Sequence, residues 1–310
     1  MQAKEKTVML YCERLFFEGG PFFHLYTEPL KDDLLFRNEE ELNEGLNMLA
    51  IAVTETRCDL LAFALMHNHL HLIIEGRQAD ALECYSKFQS RLAVYLRKER
   101  RQNLAYASKV KITPIESLKQ LRDEVAYVIR NPFAARTNVN LFAYKWCSGY
   151  LYFNDLLSWL PCGKPACEMS IDQRRAFKHS RDAVIDNKIR VFDGVALPSS
   201  FVDYKRTMSF FENARQFLQC VMKNVESQVE IAKRLGEEVV LDDTELWGVA
   251  RRICREQFKI ERHKDLPAEE QVKLIRTIKF DYGASNQQIA RCLGVQLAMV
   301  NQMFPLSVRK

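Results

Sequence analysis

The chain has 310 residues, a formal net charge of +5 and an apolar fraction of 47%. This length favours two domains with ordinary globular cores, and the mild basicity is compatible with nucleic acid without identifying it as a partner. The chain opens without a signal peptide and has no apolar run of about twenty residues, which argues against a secreted or membrane-spanning protein and for a cytoplasmic one. The nine cysteines are scattered, so we expect reduced structural thiols.

The first half of the chain alternates between predicted strands and helices. Strands are expected at Phe22–Thr27, Cys58–Leu65 and Asn68–Ile74, and helices at Glu39–Val53 and Ala79–Arg101. A further helix should end near Asn131, because the residue before a proline is biased away from the helical region. This order predicts an α+β sandwich with a central antiparallel sheet.

The second half is predicted to be entirely helical. It begins at the breaker-rich stretch Pro161-Cys162-Gly163-Lys164-Pro165. We therefore divide the chain into a first domain at 1–160, a helical connector without an assigned role at 161–235, and a C-terminal module at 236–310.

Three of the six histidines fall within five residues, at His67, His69 and His71. They alternate with the apolar residues Met66, Leu70, Leu72 and Ile74. Residues two apart in a strand point to the same face, so one strand would project up to three imidazoles in one direction. Imidazole is the commonest protein metal ligand, and we interpret His69 and His71 as half of a divalent-metal site. A pair of surface histidines on a half-buried strand is the alternative.

Tyr127 and Asn131 are four residues apart on the helix that ends near Pro132, so they share one face of it. A tyrosine and an amide oxygen on that face could meet a histidine-bound metal if the helix packs across the strand. A tyrosine at the core edge and an asparagine that merely ends the helix would give the same pattern.

Three segments in this order resemble the motifs of a known family. Ala64–Ile73 is similar to the HUH motif (U being hydrophobic) of single-tyrosine endonucleases of the insertion-sequence 200-like superfamily. Tyr127–Arg136 resembles the tyrosine helix of their REP-associated tyrosine transposase branch, and Tyr144–Tyr150 the tryptophan-serine segment that follows it. His67 replaces the proline usual before the Asn-His pair, which leaves open whether it reaches the metal.

The resemblance implies a ferredoxin-like HUH core and a transposase-like enzyme that cleaves and rejoins single-stranded DNA, at hairpin-bearing repeats. Tyr127 would be the nucleophile and form a 5′-phosphotyrosine, while His69, His71 and Asn131 would hold Mg²⁺ or Mn²⁺. Relatives act as monomers or homodimers, and the sequence does not decide between these states. Tyr106 is the next candidate nucleophile.

Basic side chains form clusters that could neutralise phosphates, although a solvated helix face looks the same. The candidate DNA contacts in these clusters are Arg97, Arg101, Arg130, Arg136, Arg251 and Arg252.

The C-terminal segment from Ser285 to Asn301 has the spacing of a helix-turn-helix, whose second helix enters the major groove of duplex DNA. Ser285 is a plausible N-cap, Gly294 falls at the turn, and Gln296 and Asn301 are candidate DNA contacts. The module resembles the DNA-binding module of the bacterial initiator DnaA. A plain helical hairpin is the alternative.

Two rival functions remain open at this point. A non-catalytic DNA-binding regulator would keep the fold without cutting, and a metal-dependent phosphodiesterase would use water in place of Tyr127.

Overall fold

The structure is a computed structural model that describes residues 12–30, 33–135, 142–179, 182, 184–223, 225–236, 241 and 243–305. These residues form two compact units. The first takes in the described residues between 12 and 133 and between 142 and 223, and the second chiefly those between 225 and 305.

The first unit is built on an antiparallel sheet of four strands in the order β2-β3-β1-β4. The strands are β1 (Phe22–Thr27), β2 (Asp59–Leu65), β3 (Leu70–Glu75) and β4 (Val110–Ile115). The helices of this part are α1 (Glu39–Thr54), α2 (Gln78–Arg97), α3 (Leu104–Ala107) and α4 (Leu118–Ala135). The α+β class and the antiparallel sheet agree with the sequence prediction.

Both faces of the sheet are covered. On one face, Gly45 of α1 lies so close to Phe36 and Leu65 that an added Cβ would clash with the Phe36 ring. On the other face, α4 contacts His24 of β1 and His71 of β3. Every residue of β1 is therefore buried, in contrast to a strand with one solvated face.

The hairpin between β2 and β3 differs from the prediction. The Met66 N–H donates to the His69 carbonyl at 2.9 Å, so these residues form a turn and β3 begins at Leu70, two residues later than expected. His67 and Asn68 therefore lie in a turn and do not follow the alternation of a strand.

Strand β4 was not predicted. It pairs with β1 along its whole length, from Phe22 opposite Ile115 to Thr27 opposite Val110. Pro114 lies within it, and a proline is tolerated there because β4 is an edge strand.

Helix α4 continues past the predicted stop to Ala135, with Pro132 inside it. A proline in a helix interior removes one backbone hydrogen bond. Val125, Val128 and Ile129 are fully buried and Pro132 is buried with them, so apolar packing along this face maintains the helix.

The free edge of β2 is covered by the segment Tyr144–Tyr150. The Leu65 N–H donates to the Trp146 carbonyl, and the Tyr144 hydroxyl donates to the Leu65 carbonyl, both at 2.8 Å. Ser148 Oγ accepts from the Phe63 N–H at 3.0 Å. This segment satisfies backbone groups that an open sheet edge would expose.

The expectation that the chain is helical after residue 161 is wrong. This region contains a three-stranded sheet of β5 (Lys164–Pro165), β6 (Arg190–Phe192) and β7 (Val195–Ala196). Its helices are α5 (Ile171–Lys178), α6 (Tyr204–Ser209) and α7 (Ala214–Lys223). Phe201, Phe210 and Phe217 join the core of the first unit, so these residues belong to that unit and do not form a separate connector.

The second unit is helical and has its own core. Its helices are α8 (Val225–Leu235), α9 (Asp243–Gln257), α10 (Ala268–Asp281), α11 (Asn286–Leu293) and α12 (Leu297–Met303). Ser285 caps α11 in a capping box with Gln288, and Gly294 ends it in the left-handed conformation at φ 63°. The two helices around the turn thus lie where the sequence placed them.

Within the described residues, no helix is long and apolar enough to cross a membrane.

Arg101 has a structural role that yields a stability prediction. It is 8% exposed, and its guanidinium donates to Glu41 Oε1 at 2.8 Å and to the Leu34 carbonyl at 2.7 Å. Arg101→Ala would leave the buried Glu41 carboxylate without its cation, so we expect a loss of about 3–5 kcal/mol in the free energy of unfolding. Chemical denaturation measures this, and Arg97→Ala, which removes an exposed arginine, should cost less than about 0.5 kcal/mol. Equal losses in the two variants would contradict the structural role.

Candidate histidine–tyrosine site

The structure brings together the residues that the sequence singled out at His69, His71, Tyr127 and Asn131. His71 lies on β3, on the sheet face that α4 covers, and is completely buried. His69 precedes the strand and is 8% exposed. The alternative of surface histidines is therefore wrong, because both rings are enclosed between the sheet and α4.

Asn131 lies between the two histidines. Its side-chain nitrogen is 3.0 Å from His71 Nε2, and its side chain also hydrogen-bonds His69. The His69 and His71 rings are edge to face, with centroids 5.0 Å apart. One amide side chain therefore hydrogen-bonds both imidazoles.

Tyr127 lies one helical turn before Asn131 on α4, as the spacing predicts. The centre of its ring is 5.7 Å from the centre of the His71 ring and 6.3 Å from that of the His24 ring. Tyr127 is 7% exposed. The competing Tyr106 is 59% exposed and lies on α3.

Burial keeps both histidines neutral. It lowers the pKa of His69 to about 4, against a smaller opposing effect of the Asn131 hydrogen bond. Burial also lowers the pKa of His71 well below its usual range, and the neighbouring His69 and His24 rings add to this effect. A neutral imidazole has a lone pair, so these rings are suited to bind a cation at neutral pH.

The orientation of the His69 ring follows from its neighbour Asn68. The Asn68 side-chain nitrogen donates to the Leu30 carbonyl at 3.1 Å, which turns its oxygen toward His69 Nδ1 at 2.8 Å. An amide oxygen only accepts, so His69 Nδ1 donates and its Nε2 keeps the lone pair.

Sequence reasoning missed His24 and Glu124. His24 Nδ1 is 2.6 Å from Glu124 Oε2, and His24 Nε2 is 3.0 Å from His71 Nδ1. Both residues are fully buried. The available signals were a histidine inside the apolar strand Phe22–Thr27 and a glutamate beside the apolar stripe of α4.

His67 is directed elsewhere. Its Nδ1 is 2.6 Å from the Phe36 carbonyl, in the segment before α1. No group of three or more His, Cys, Asp or Glu side chains suited to a metal occurs in the part of the chain that the structure describes. The cluster found here consists of two histidines and an amide.

Two predicted DNA contacts in the first unit have structural partners instead. Arg130 is 6% exposed, and its guanidinium donates to the Val221 carbonyl at 2.8 Å. Arg101 is bound to Glu41, as described above. Both guanidinium groups are thus withdrawn from solvent, and neither is retained as a candidate. Arg97 is exposed, and Arg136 lies outside the described residues.

In the second unit, α9 presents a partly exposed basic surface next to an aromatic ring. Trp247 is 43% exposed, and the Arg251 guanidinium lies 4.8 Å from the centre of its ring. Together with Arg252 and Arg255 they line a cavity of about 300 Å³. Arg252 donates to the Tyr282 hydroxyl at 3.0 Å.

The two predicted contacts on α12 differ in availability. Gln296 is exposed at the start of the helix. Asn301 accepts a hydrogen bond from Asn286 at 2.9 Å and so ties α12 to α11.

A scan of family models finds no match to the chain, and a search of curated proteins finds none either. A search of solved structures finds one described as a REP-associated tyrosine transposase bound to a REP hairpin. It shows 10% identity and a TM-score of 0.34 over 46% of this chain and 84% of that chain. At this TM-score the likeness carries no argument about activity.

The pKa of His69 gives a prediction for the metal-free protein. Between about pH 6.5, the ordinary value, and the folded value of about 4, the unfolded chain binds a proton that folded His69 does not. Stability therefore falls as the pH falls through this window, by at most about 1.4 kcal/mol per pH unit for this group. Denaturation in the presence of a chelator should show a shallower pH dependence in His69→Gln than in the wild type. Identical slopes would contradict the assignment.

Proposed function

We propose that the chain is a metal-dependent, single-tyrosine endonuclease and transesterase that acts on single-stranded DNA in the manner of a transposase. The observation that carries this proposal is the position of Tyr127 beside the buried cluster of His69, His71 and Asn131. One helix, α4, supplies both Tyr127 and Asn131, so a nucleophile and a ligand are fixed relative to each other.

The donor set fits a divalent cation. His69 and His71 would each offer a ring nitrogen. Asn131 would offer its amide oxygen once its side chain turns, since its nitrogen now lies toward His71 Nε2. This mixture of nitrogen and oxygen donors suits Mn²⁺ and is also open to Mg²⁺. When bound, such a cation would polarise the scissile phosphate and stabilise the charge that develops on it.

The reaction of Tyr127 conserves the energy of the phosphodiester. Its phenolic oxygen loses a proton to solvent and forms a bond to the 5′-phosphorus, while the bond from phosphorus to the 3′-oxygen breaks and that oxygen takes up a proton. The covalent 5′-phosphotyrosine and the free 3′-hydroxyl can then be rejoined, or the phosphate can be transferred to another strand.

The DNA partners are assigned by chemistry and resemblance. The resemblance of three motifs to REP-associated tyrosine transposases favours hairpin-bearing repeats as the single-stranded substrate. In the second unit, the half-buried Arg251 and the exposed Gln296 suit duplex DNA, Arg251 as a cation for phosphate and Gln296 as a hydrogen-bonding side chain. The Arg251 guanidinium also lies 3.9 Å from Glu261, so phosphate would compete with this carboxylate. Trp247 adds an aromatic surface beside the Arg251 cation.

Replacing the nucleophile tests the proposal directly. Wild-type protein incubated with Mn²⁺ and a pool of hairpin-containing single strands should give a denaturant-resistant protein–DNA adduct. Tyr127→Phe should give none, because the replacement removes only the attacking oxygen. Gel electrophoresis with end-labelled DNA measures this, and Tyr106→Phe, which removes an exposed hydroxyl, should keep the adduct.

Other results of this adduct assay would favour the water-using phosphodiesterase or the non-catalytic regulator. Cleaved DNA without an adduct would favour water as the nucleophile, and binding without cleavage across the pool would favour a regulator. An adduct that survives in Tyr127→Phe would assign the nucleophile to another residue.

Duplex binding by the full chain gives a second prediction. If Arg251 neutralises a phosphate, Arg251→Ala should weaken binding to any duplex sequence and reduce the slope of log affinity against log salt by about 0.9. Fluorescence anisotropy at several salt concentrations measures the slope. Arg262→Ala is the matched control, since this exposed arginine of the same unit pairs with Asp265 and is not part of the α9 surface. Equal slopes in wild type and Arg251→Ala would exclude the contact.

A further inference from the structure

Behind the cluster of His69, His71 and Asn131 lies a chain of buried polar groups that the proposed reaction does not use. Glu124 Oε2 is 2.6 Å from His24 Nδ1, and His24 Nε2 is 3.0 Å from His71 Nδ1. Glu124, His24 and His71 come from α4, β1 and β3 and are all completely buried. Polar groups withdrawn from water in this way are costly unless each is paired, so their order of donors and acceptors is constrained.

The donors and acceptors along Glu124, His24 and His71 are assigned starting from the Glu124 carboxylate. The Gln120 side-chain nitrogen donates to Glu124 Oε1 at 3.4 Å, and His24 Nδ1 lies 2.6 Å from Glu124 Oε2. When Glu124 is ionised and the His24 ring is neutral, His24 Nδ1 donates to the carboxylate and His24 Nε2 is an acceptor. His71 Nδ1 then donates to His24 Nε2, and His71 Nε2 is left without a proton.

The far end of the chain agrees with this direction. Asn131 Nδ2, a donor, lies 3.0 Å from His71 Nε2, where a ring nitrogen with a lone pair is required. His71 is thereby in the same tautomer that Asn68 gives to His69. In this tautomer neither His69 Nε2 nor His71 Nε2 carries a proton.

We infer that Glu124 and His24 are positioning residues that hold His71 in the tautomer whose Nε2 carries no proton, the form in which an imidazole nitrogen can bind a cation. The role of His71 in binding a cation rests on the proposed function, whereas the direction of the hydrogen bonds rests on the chemistry of the donors and acceptors. Neither residue can touch a substrate, because both have no exposed surface, whereas His69 and Tyr127 keep 8% and 7%. Groups that orient a ligating histidine in this way commonly set the affinity for the metal.

The tautomer is measured in the metal-free protein. In long-range ¹H–¹⁵N spectra of histidine-labelled protein, protonated and unprotonated ring nitrogens are separated in chemical shift. We expect His71 and His24 of the wild type to carry the proton on Nδ1. A proton on His71 Nε2 in the wild type would overturn the inference whatever the protein does with metals.

Glu124→Gln tests the carboxylate with almost no change of shape. The amide can accept from His24 Nδ1 through its oxygen or donate to it through its nitrogen, so the direction of the chain is no longer fixed. We expect a population of His71 with the proton on Nε2, and an affinity for Mn²⁺ by calorimetry that is lower by roughly 10–100-fold. An unchanged tautomer together with an unchanged affinity would overturn the inference.

Two comparisons separate this inference from the proposed function. Glu41→Gln alters another buried carboxylate, which is bound to Arg101, and should leave both the His71 tautomer and the Mn²⁺ affinity as in wild type. If wild-type protein bound no Mn²⁺ but showed the expected tautomer, the metal site of the proposed function would be wrong and the hydrogen-bond direction would stand.

Discussion

The site depends on the complete burial of His71 in a sheet that is covered on both faces. A buried imidazole must satisfy both ring nitrogens inside the protein, since water does not reach them. His71 does so through His24 on one side and Asn131 on the other. These two contacts join β1, β3 and α4, so the same interactions that hold the helix on the sheet also place Tyr127 beside the histidines. The contacts that pack α4 on the sheet therefore also set the geometry of the candidate site.

The residues of the site differ in how deeply they are buried. Glu124, His24 and His71 have no exposed surface, whereas the exposed fractions of His69 and Tyr127 are 8% and 7%. The inner residues can act only on their neighbours, and in the proposed reaction only the outer ones would meet a phosphate. Low polarity around the inner residues strengthens each hydrogen bond, and burial lowers the pKa of His71 so that its ring stays neutral. This division explains why the residues that fix the histidines differ from those that would take part in chemistry.

Much of this arrangement could be predicted from local patterns. The bounds of β1, the pairing of Tyr127 with Asn131 on one helix face and the caps at Ser285 and Gly294 follow from periodicity and capping chemistry, which involve residues within a few positions of each other.

The parts that were missed depend on distant partners or on very short elements. Strand β4 contains Pro114, which indicates a break unless the strand is known to lie at an edge. Strands of two or three residues, as in β5 to β7, are too short to show a period. The pair of His24 and Glu124 joins residues 100 positions apart, and neither has a signal in its own segment. Arg101 and Arg130 belong to basic clusters in the sequence, and only the fold reveals that they are buried.

In the proposed function, a divalent cation binds at His69, His71 and Asn131, next to Tyr127. The most direct test is paramagnetic broadening in protein with isotopically labelled tyrosine rings, because Mn²⁺ broadens nearby signals and its effect falls steeply with distance. We expect substoichiometric Mn²⁺ to broaden the Tyr127 signal, assigned by its loss in Tyr127→Phe, before that of Tyr106, and His69→Ala to abolish this selectivity. A Tyr127 signal that stays sharp while other tyrosines broaden, or one that broadens equally in His69→Ala, would contradict the account.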